Sequence, residues 1–351
     1  MTSMIPTFCY LFHHPSLSGR SGMAPLVEAL GAEPVYYNVA WELLQSRSWR
    51  LGQLVRTWGQ RWSGSEWFAP WPIWDEWRLI RKLPKNAPSI AHYVFADFTP
   101  PMYTRAAQKR GARVVATFHV SARRAPQVLA GVRRLDQLDA VTLVSASQRE
   151  WFLNRGVAED RLHVLLHGVD SVYFSPAVQS SRESRLRLLL VGKTERDHRF
   201  AASVMNRLPK GVAQLRALTS REQQAEYLHA QNVHVLPRMD DSALLNEYQQ
   251  ADLLFMPMLD CTANNAVLES MACGTPVMVN RVGGIPEYVN PSCNVVMDEK
   301  RVDAWVEKLI ELSRSRDALE SKRSAVRTWA EGFAWPLVAR QYLDLFERLC
   351  K

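Results

Sequence analysis

Short apolar runs of strand type alternate with helical stretches along nearly the whole chain, and that alternation restricts the fold more than any other feature. Leu253-Leu254-Phe255-Met256 is typical, with four apolar residues in succession and no polar face. Such a strand needs cover on both sides, which a parallel sheet flanked by helices provides. In the first half, strands are expected at residues 7–12, 34–37, 90–95, 113–118, 140–145 and 162–166. Directly after the run 140–145, Ser147-Gln148-Arg149-Glu150 matches a capping box, so strand passes into helix there.

Residues 175–184 are polar, aperiodic and interrupted by Pro176, the character of a linker. Beyond them the alternation restarts at 186–192 and continues through 233–236, 253–257 and 276–279. A chain of 351 residues also exceeds what one hydrophobic core usually serves. Two Rossmann-like doubly wound α/β domains are therefore expected, at 1–176 and 185–332, joined by a linker at 177–184. From Trp335 the residues Val338, Tyr342, Leu345, Phe346 and Leu349 fall at helical spacing, giving a terminal amphipathic helix over 333–351 whose apolar face must be buried.

Several classes are disfavoured. No apolar run approaches the ~20 residues of a membrane-spanning helix, and residues 1–6 lack the pattern of a secretory leader. Cys9, Cys261, Cys273, Cys293 and Cys350 are widely spaced without a C-x-x-C, so neither a disulfide framework nor a zinc site is expected. A reducing cytoplasm fits these features. The net charge of +8 favours an anionic partner, whether nucleic acid, a phosphorylated substrate or an acidic membrane face.

Ligands of open parallel sheets bind beyond the carboxyl ends of the strands. After the strand at 253–257 come a loop at 258–263 and a helix from Asn264 that stops at Gly274. Its amino end offers unpaired N–H groups to an anion. Glu269 lies about one and a half turns in, where its carboxylate could accept hydrogen bonds from a ribose diol. The competing reading makes Asn264 a plain helix cap and Glu269 a surface carboxylate. The stretch from Lys193 to Arg199 follows the strand ending at Gly192, so its cations could meet a diphosphate, or form a solvated loop. Ser18-Gly19-Arg20-Ser21-Gly22 could let the backbone approach a substrate, or be an ordinary turn. His119, closing a buried strand, is either a structural hydrogen-bonding group or a functional one.

The segment Asn264 to Val277, followed by Val282-Gly283-Gly284-Ile285-Pro286-Glu287, resembles the donor-site signature of glycosyltransferase family 4, the retaining GT-B enzymes. The resemblance extends, in the family's order, to Val115-Ala116-Thr117-Phe118-His119, Val144-Ser145, His163 to Asp170, Tyr173-Phe174-Ser175-Pro176, Val191-Gly192-Lys193 and Val233 to Pro237. It covers residues 89–290 and implies a GT-B fold, with the terminal helix packing back on the N-terminal domain and a cleft between the two domains. It also implies transfer from a UDP- or GDP-linked sugar, a substrate and not a cofactor, by front-face substitution. No D-x-D triplet is present, and no metal is expected.

The resemblance also implies roles. His119, Lys193 and Glu269 form the catalytic set, with His119 beside the donor sugar, Lys193 on the phosphates and Glu269 on the ribose. Gly19 and Gly22 match the glycine-rich loop, Gly192 precedes the basic residues, and Arg196 or Arg199 supplies the second cation. Met239 falls where the base is met, while Asp260, Cys261, Thr262, Asn264, Asn265 and Ala266 line the donor. Glu269 matches the second glutamate of an E-x7-E motif, whereas the first falls on Cys261. A thiol cannot replace a carboxylate as acceptor, so Asp260, Asn264 or Asn265 would have to take its place.

Eight tryptophans (Trp41, Trp49, Trp58, Trp62, Trp67, Trp71, Trp74 and Trp77) lie among arginines and lysines in an insertion at about 41–85. That mixture suits an anionic bilayer surface, a helical insertion packed on its own domain, or stacking on a single-stranded nucleic acid. The expected function is transfer to a glycan or lipid-linked acceptor, peripheral on the inner membrane face, for a surface polysaccharide or glycolipid, with no nucleic acid as partner. A sugar-nucleotide epimerase, a phosphorylase and a degenerate sugar-nucleotide-binding subunit are the alternatives.

Overall fold

A computed structural model describes residues 5–12, 20–37, 53–54, 57–61, 64–66, 72–177 and 184–351. The chain divides into two compact units, Met1–His167 with Trp335–Lys351, and Gly168–Ala334.

The first unit holds a six-stranded sheet in the order β2-β1-β3-β4-β5-β6, with every pair parallel. Its strands are β1 (Thr7–Phe12), β2 (Glu33–Tyr37), β3 (Ser89–Tyr93), β4 (Ala112–Phe118), β5 (Ala140–Leu143) and β6 (Leu162–Val164). β3 and β5 are buried at every position, their polar Ser89, His92 and Thr142 included, as strands of a sheet covered on both faces require. The Trp335–Cys350 helix belongs to this unit and buries Trp335, Val338, Tyr342, Leu345 and Phe346 against Leu11, Leu26, Ile90, Val94 and Val115. Each such side chain contributes about 1.5–3 kcal/mol, which offsets the marginal stability of an isolated helix.

The second unit has the order β12-β11-β10-β7-β8-β9, again all parallel. Its strands are β7 (Leu186–Val191), β8 (Ala213–Leu218), β9 (Val233–Val235), β10 (Leu253–Met256), β11 (Val277–Asn280) and β12 (Val295–Met297). Numbered from β7, this is the doubly wound order with its reversal between β7 and β10. β8 and β12 escape a search for apolar runs. β8 alternates buried Ala213, Leu215 and Ala217 with half-buried Gln214, Arg216 and Leu218, and β12 is a half-buried edge.

Two boundaries differ from the sequence reading. The division falls at His167/Gly168, not after Pro176, because residues 168–176 are bound into the second unit. Arg327 donates to the carbonyls of Ser171 and Phe174, and Gln249 to that of Ser175. Most of the expected linker lies outside the described residues. The capping box begins at Ser145 instead of Ser147: Ser145 Oγ accepts from the Ser147 N–H at 3.1 Å, and Gln148 Oε1 from the Ser145 N–H at 3.0 Å. Ser145 has the extended backbone (φ −158°) that a cap residue needs.

Candidate functional site

In the second unit the loops after β7 and β10 emerge at the reversal of strand order, where an open sheet leaves room for a ligand. They lie side by side: Leu259 N–H donates to Glu195 O at 2.9 Å, and Asp197 N–H to Pro257 O at 2.9 Å. Asp197 then caps the His198–Arg207 helix through the Phe200 N–H. The Asn265–Ala272 helix follows β10, and Asn264 Oδ1 accepts from the Val267 N–H at 3.3 Å. Among the described residues, the N–H groups of Asn265 and Ala266 meet no acceptor. The capping reading of Asn264 is thus correct, yet the cap leaves that end open to an anion.

Arg196 brings positive charge to the same place. Its Nη2 donates to Asn264 Oδ1 at 3.1 Å, its Nε to Val191 O at 3.2 Å and its Nη1 to Thr194 O at 2.6 Å. All three acceptors are neutral, and burial lowers its pKa below the guanidinium's ordinary value. Gly192 (φ +104°) makes the arrangement possible, since a Cβ there would lie 2.9 Å from the guanidinium. Lys193 is exposed beside it. Arg199 does not join them, because its guanidinium faces Glu226 at 3.6 Å. Of the two arginines offered as second cation, Arg196 is thus the one that stands at the helix end.

Glu269 is only 4% exposed, so it is no surface carboxylate. Its Oε2 accepts from the Tyr248 hydroxyl at 2.8 Å. Burial raises the Tyr248 hydroxyl well above the usual phenol range, keeping it the donor. Nothing near Glu269 in sequence signals Tyr248, which arrives from the Asp241–Gln250 helix.

Asp260 and Cys261 are buried together. Asp260 Oδ1 accepts from the Cys261 N–H at 2.8 Å, and burial pushes the Cys261 thiol up to about 12. Gly284 N–H donates to Cys261 O at 2.8 Å, and a Cβ on Gly283 would fall 2.0 Å from that oxygen. The glycine pair thus seats the loop of Asp260, Cys261 and the buried Thr262. Met239, half-buried, follows β9, two places along the sheet from β7.

In the first unit His119 follows β4, and the buried Asp97 holds it. Asp97 Oδ2 accepts from the His119 main-chain N–H at 2.7 Å and faces Nδ1 at 3.3 Å, while Oδ1 accepts from the Val120 N–H at 3.0 Å. An imidazole gripped at Nδ1 has its ring orientation set and presents its other nitrogen. Sequence reasoning missed Asp97; its place after β3, beyond a carboxyl end, is the signal that marks it. Gly22 (φ +77°) turns the chain into the Ala24–Ala29 helix, whereas Gly19 lies outside the described residues.

Of the insertion, Trp58 and Trp77 are exposed, and the Arg81 guanidinium sits 4.7 Å from the centre of the Trp77 ring on the Pro72–Lys82 helix. The remaining tryptophans lie outside the described residues, Trp74 in its side chain. No helix among the described residues is long and apolar enough to cross a membrane.

Two all-parallel units, one with Arg196 beside an open helix end at its strand-order reversal, define a two-domain α/β protein. A family model of glycosyl transferases group 1 matches residues 152–315, and one of Glycosyltransferase Family 4 matches residues 28–172. Among curated proteins, the chain is 27% identical over 231 residues to the MMP alpha-(1->4)-mannosyltransferase of Mycolicibacterium hassiacum, covering 60% of this chain and 54% of that protein. The chain spans about half or less of most curated relatives it matches. Among solved structures it is similar to a glycosyltransferase from Rickettsia africae, with a TM-score of 0.69, 15% identity and 99% coverage of both chains. HepE of Anabaena in complex with UDP and glucose gives a TM-score of 0.67 at 11% identity, covering 98% of this chain and 100% of that one. The fold is GT-B, and glycosyltransferase family models match the chain from residue 28 to residue 315 between them.

Proposed function

We propose that this protein transfers a sugar, with retention of configuration, from a nucleotide-sugar to a glycan or lipid-linked acceptor. The observation that carries the reading is the meeting of the half-buried Arg196 side chain with the open amino end of the Asn265–Ala272 helix. A departing diphosphate needs positive charge and N–H dipoles where its charge develops. Arg196, Lys193 and the first-turn amides supply both, so no divalent cation is required. Glu269, whose Oε2 accepts from the Tyr248 hydroxyl, is the carboxylate that would accept from the ribose diol. His119, steadied by Asp97, positions or polarises the donor sugar and forms no covalent bond to it.

HepE was solved with UDP and glucose, and the M. hassiacum relative is named a mannosyltransferase, which supports UDP- and GDP-linked sugars as the donors to try first. The basic, tryptophan-rich insertion supports an acceptor at an anionic membrane face, reached from the cytoplasm. The test is a thermal-shift screen against nucleotide-sugars, repeated on Glu269→Ala and with EDTA. The expected result is stabilisation by one nucleotide class, lost in the variant and indifferent to the chelator. Equal stabilisation of both proteins would overturn the ribose assignment. Labelled donor then separates transfer from epimerisation by its products, and hydrolysis of donor without acceptor argues against a catalytically silent subunit.

A further inference from the structure

The stretch between β2 and β3 reaches the loop that carries Asp97 at two separate points. The first is Ser65, fully buried, whose hydroxyl donates to the Asp97 main-chain carbonyl at 2.6 Å. Its neighbours are pinned: Gly131 N–H donates to Gly64 O at 3.0 Å, and Glu66 N–H to Val128 O at 2.9 Å. The backbones at Gly64 and Gly131 meet so closely that a Cβ on Gly64 would stand 1.9 Å from the Gly131 carbonyl. The second point is Glu76, whose Oε1 accepts from the N–H groups of Met102 and Tyr103 and from the Tyr93 hydroxyl, each at 2.8 Å. The loop from Val94 to Tyr103 is thus held near its middle by Ser65 and at its far end by Glu76. All three polar contacts of the Asp97 carboxylate described above go to His119 and Val120.

We propose that Ser65 is a positioning residue for His119: by holding the main chain of Asp97 it sets where that carboxylate grips the imidazole, so the insertion forms part of the catalytic apparatus. The proposal rests on the reading that His119 acts beside the donor sugar. Side-chain hydroxyls fix a loop by such bonds when both partners are excluded from water, and losing one releases the loop's register. The imidazole follows the carboxylate, and small misplacements of a group at a reacting centre are costly in rate.

The experiment compares wild type, Ser65→Ala, Asp97→Asn and His119→Ala. The imidazole nitrogen chemical shifts of His119, which report the hydrogen bond at Nδ1, are followed by NMR on the unliganded protein, and turnover by hydrolysis of UDP-glucose and GDP-mannose. Ser65→Ala is expected to displace the Nδ1 shift in the direction of Asp97→Asn, and to reduce kcat on the order of 10-fold with donor KM unchanged. Wild-type nitrogen shifts and kcat in Ser65→Ala, beside an inactive His119→Ala, overturn the proposal and leave the functional reading intact. An active His119→Ala overturns that reading instead. Should Ser65→Ala fail to fold, Ser65→Cys, a weaker donor of similar size, carries the same comparison, and the nitrogen shifts decide it without any donor.

Discussion

The hydrogen bond between Tyr248 and Glu269 joins stability to the candidate site, and Tyr248→Phe tests it directly. The carboxylate is almost fully buried and the bond measures 2.8 Å. Removing the hydroxyl costs one charge-assisted bond in a water-poor setting, about 1.5–3 kcal/mol. In a unit of this size each kcal/mol moves the melting temperature by about 2–4 °C. Phenylalanine keeps the ring that packs on Phe174, with centroids 6.0 Å apart, so little of the loss comes from packing. Urea unfolding of wild type, Tyr248→Phe, Glu269→Gln and the double variant closes a cycle that isolates the pair. A coupling of about 1.5 kcal/mol or more is expected, and one below about 0.5 kcal/mol would refute the argument that Tyr248 holds the carboxylate.

Other outcomes follow from the same geometry. Burial pushes the Glu76 carboxyl up to about 7 against three opposing hydrogen bonds, so its folded value lies above its ordinary 4.5. Its contribution to stability is therefore complete below pH 4.5 and lost as pH rises through about 7, and Glu76→Gln flattens that decline in denaturation measured across this window. Gly283→Ala places a Cβ 2.0 Å from Cys261 O at a positive φ, so lower soluble yield and melting temperature are expected; wild-type melting would show that the loop yields freely. Cys261, buried and with its thiol pushed up to about 12, stays unalkylated in the native protein while the half-exposed Cys350 reacts, as peptide mass spectrometry after brief labelling reports. Arg196→Ala lowers affinity for a nucleoside diphosphate by on the order of 10-fold or more, whereas Arg199→Ala, whose side chain faces Glu226, leaves it unchanged by isothermal calorimetry.

The strand easiest to locate is the uninterrupted apolar run of β10, because burial on both faces favours apolar residues at every position. β8 and β12 were hidden for the converse reason, one diluted by Gln214 and Arg216 and the other exposed at an edge. The helix opening at Asn264 was legible because its cap, periodicity and stop are local. The choice of Arg196 over Arg199 was not, since both follow the same strand and only the fold shows that Arg199 faces Glu226.

Local order is what the amino-acid sequence determined by itself: alternating burial periods, helix starts and stops, and an amphipathic terminal helix, all set by neighbours within a few residues. The tertiary structure decided which distant groups meet. Asp97 reaches His119, Ser65 reaches Asp97 and Tyr248 reaches Glu269 across 22, 32 and 21 positions of chain. Each meeting depends on strand order and helix docking, which arise from the packing of the whole core and leave no periodic trace at the residues concerned.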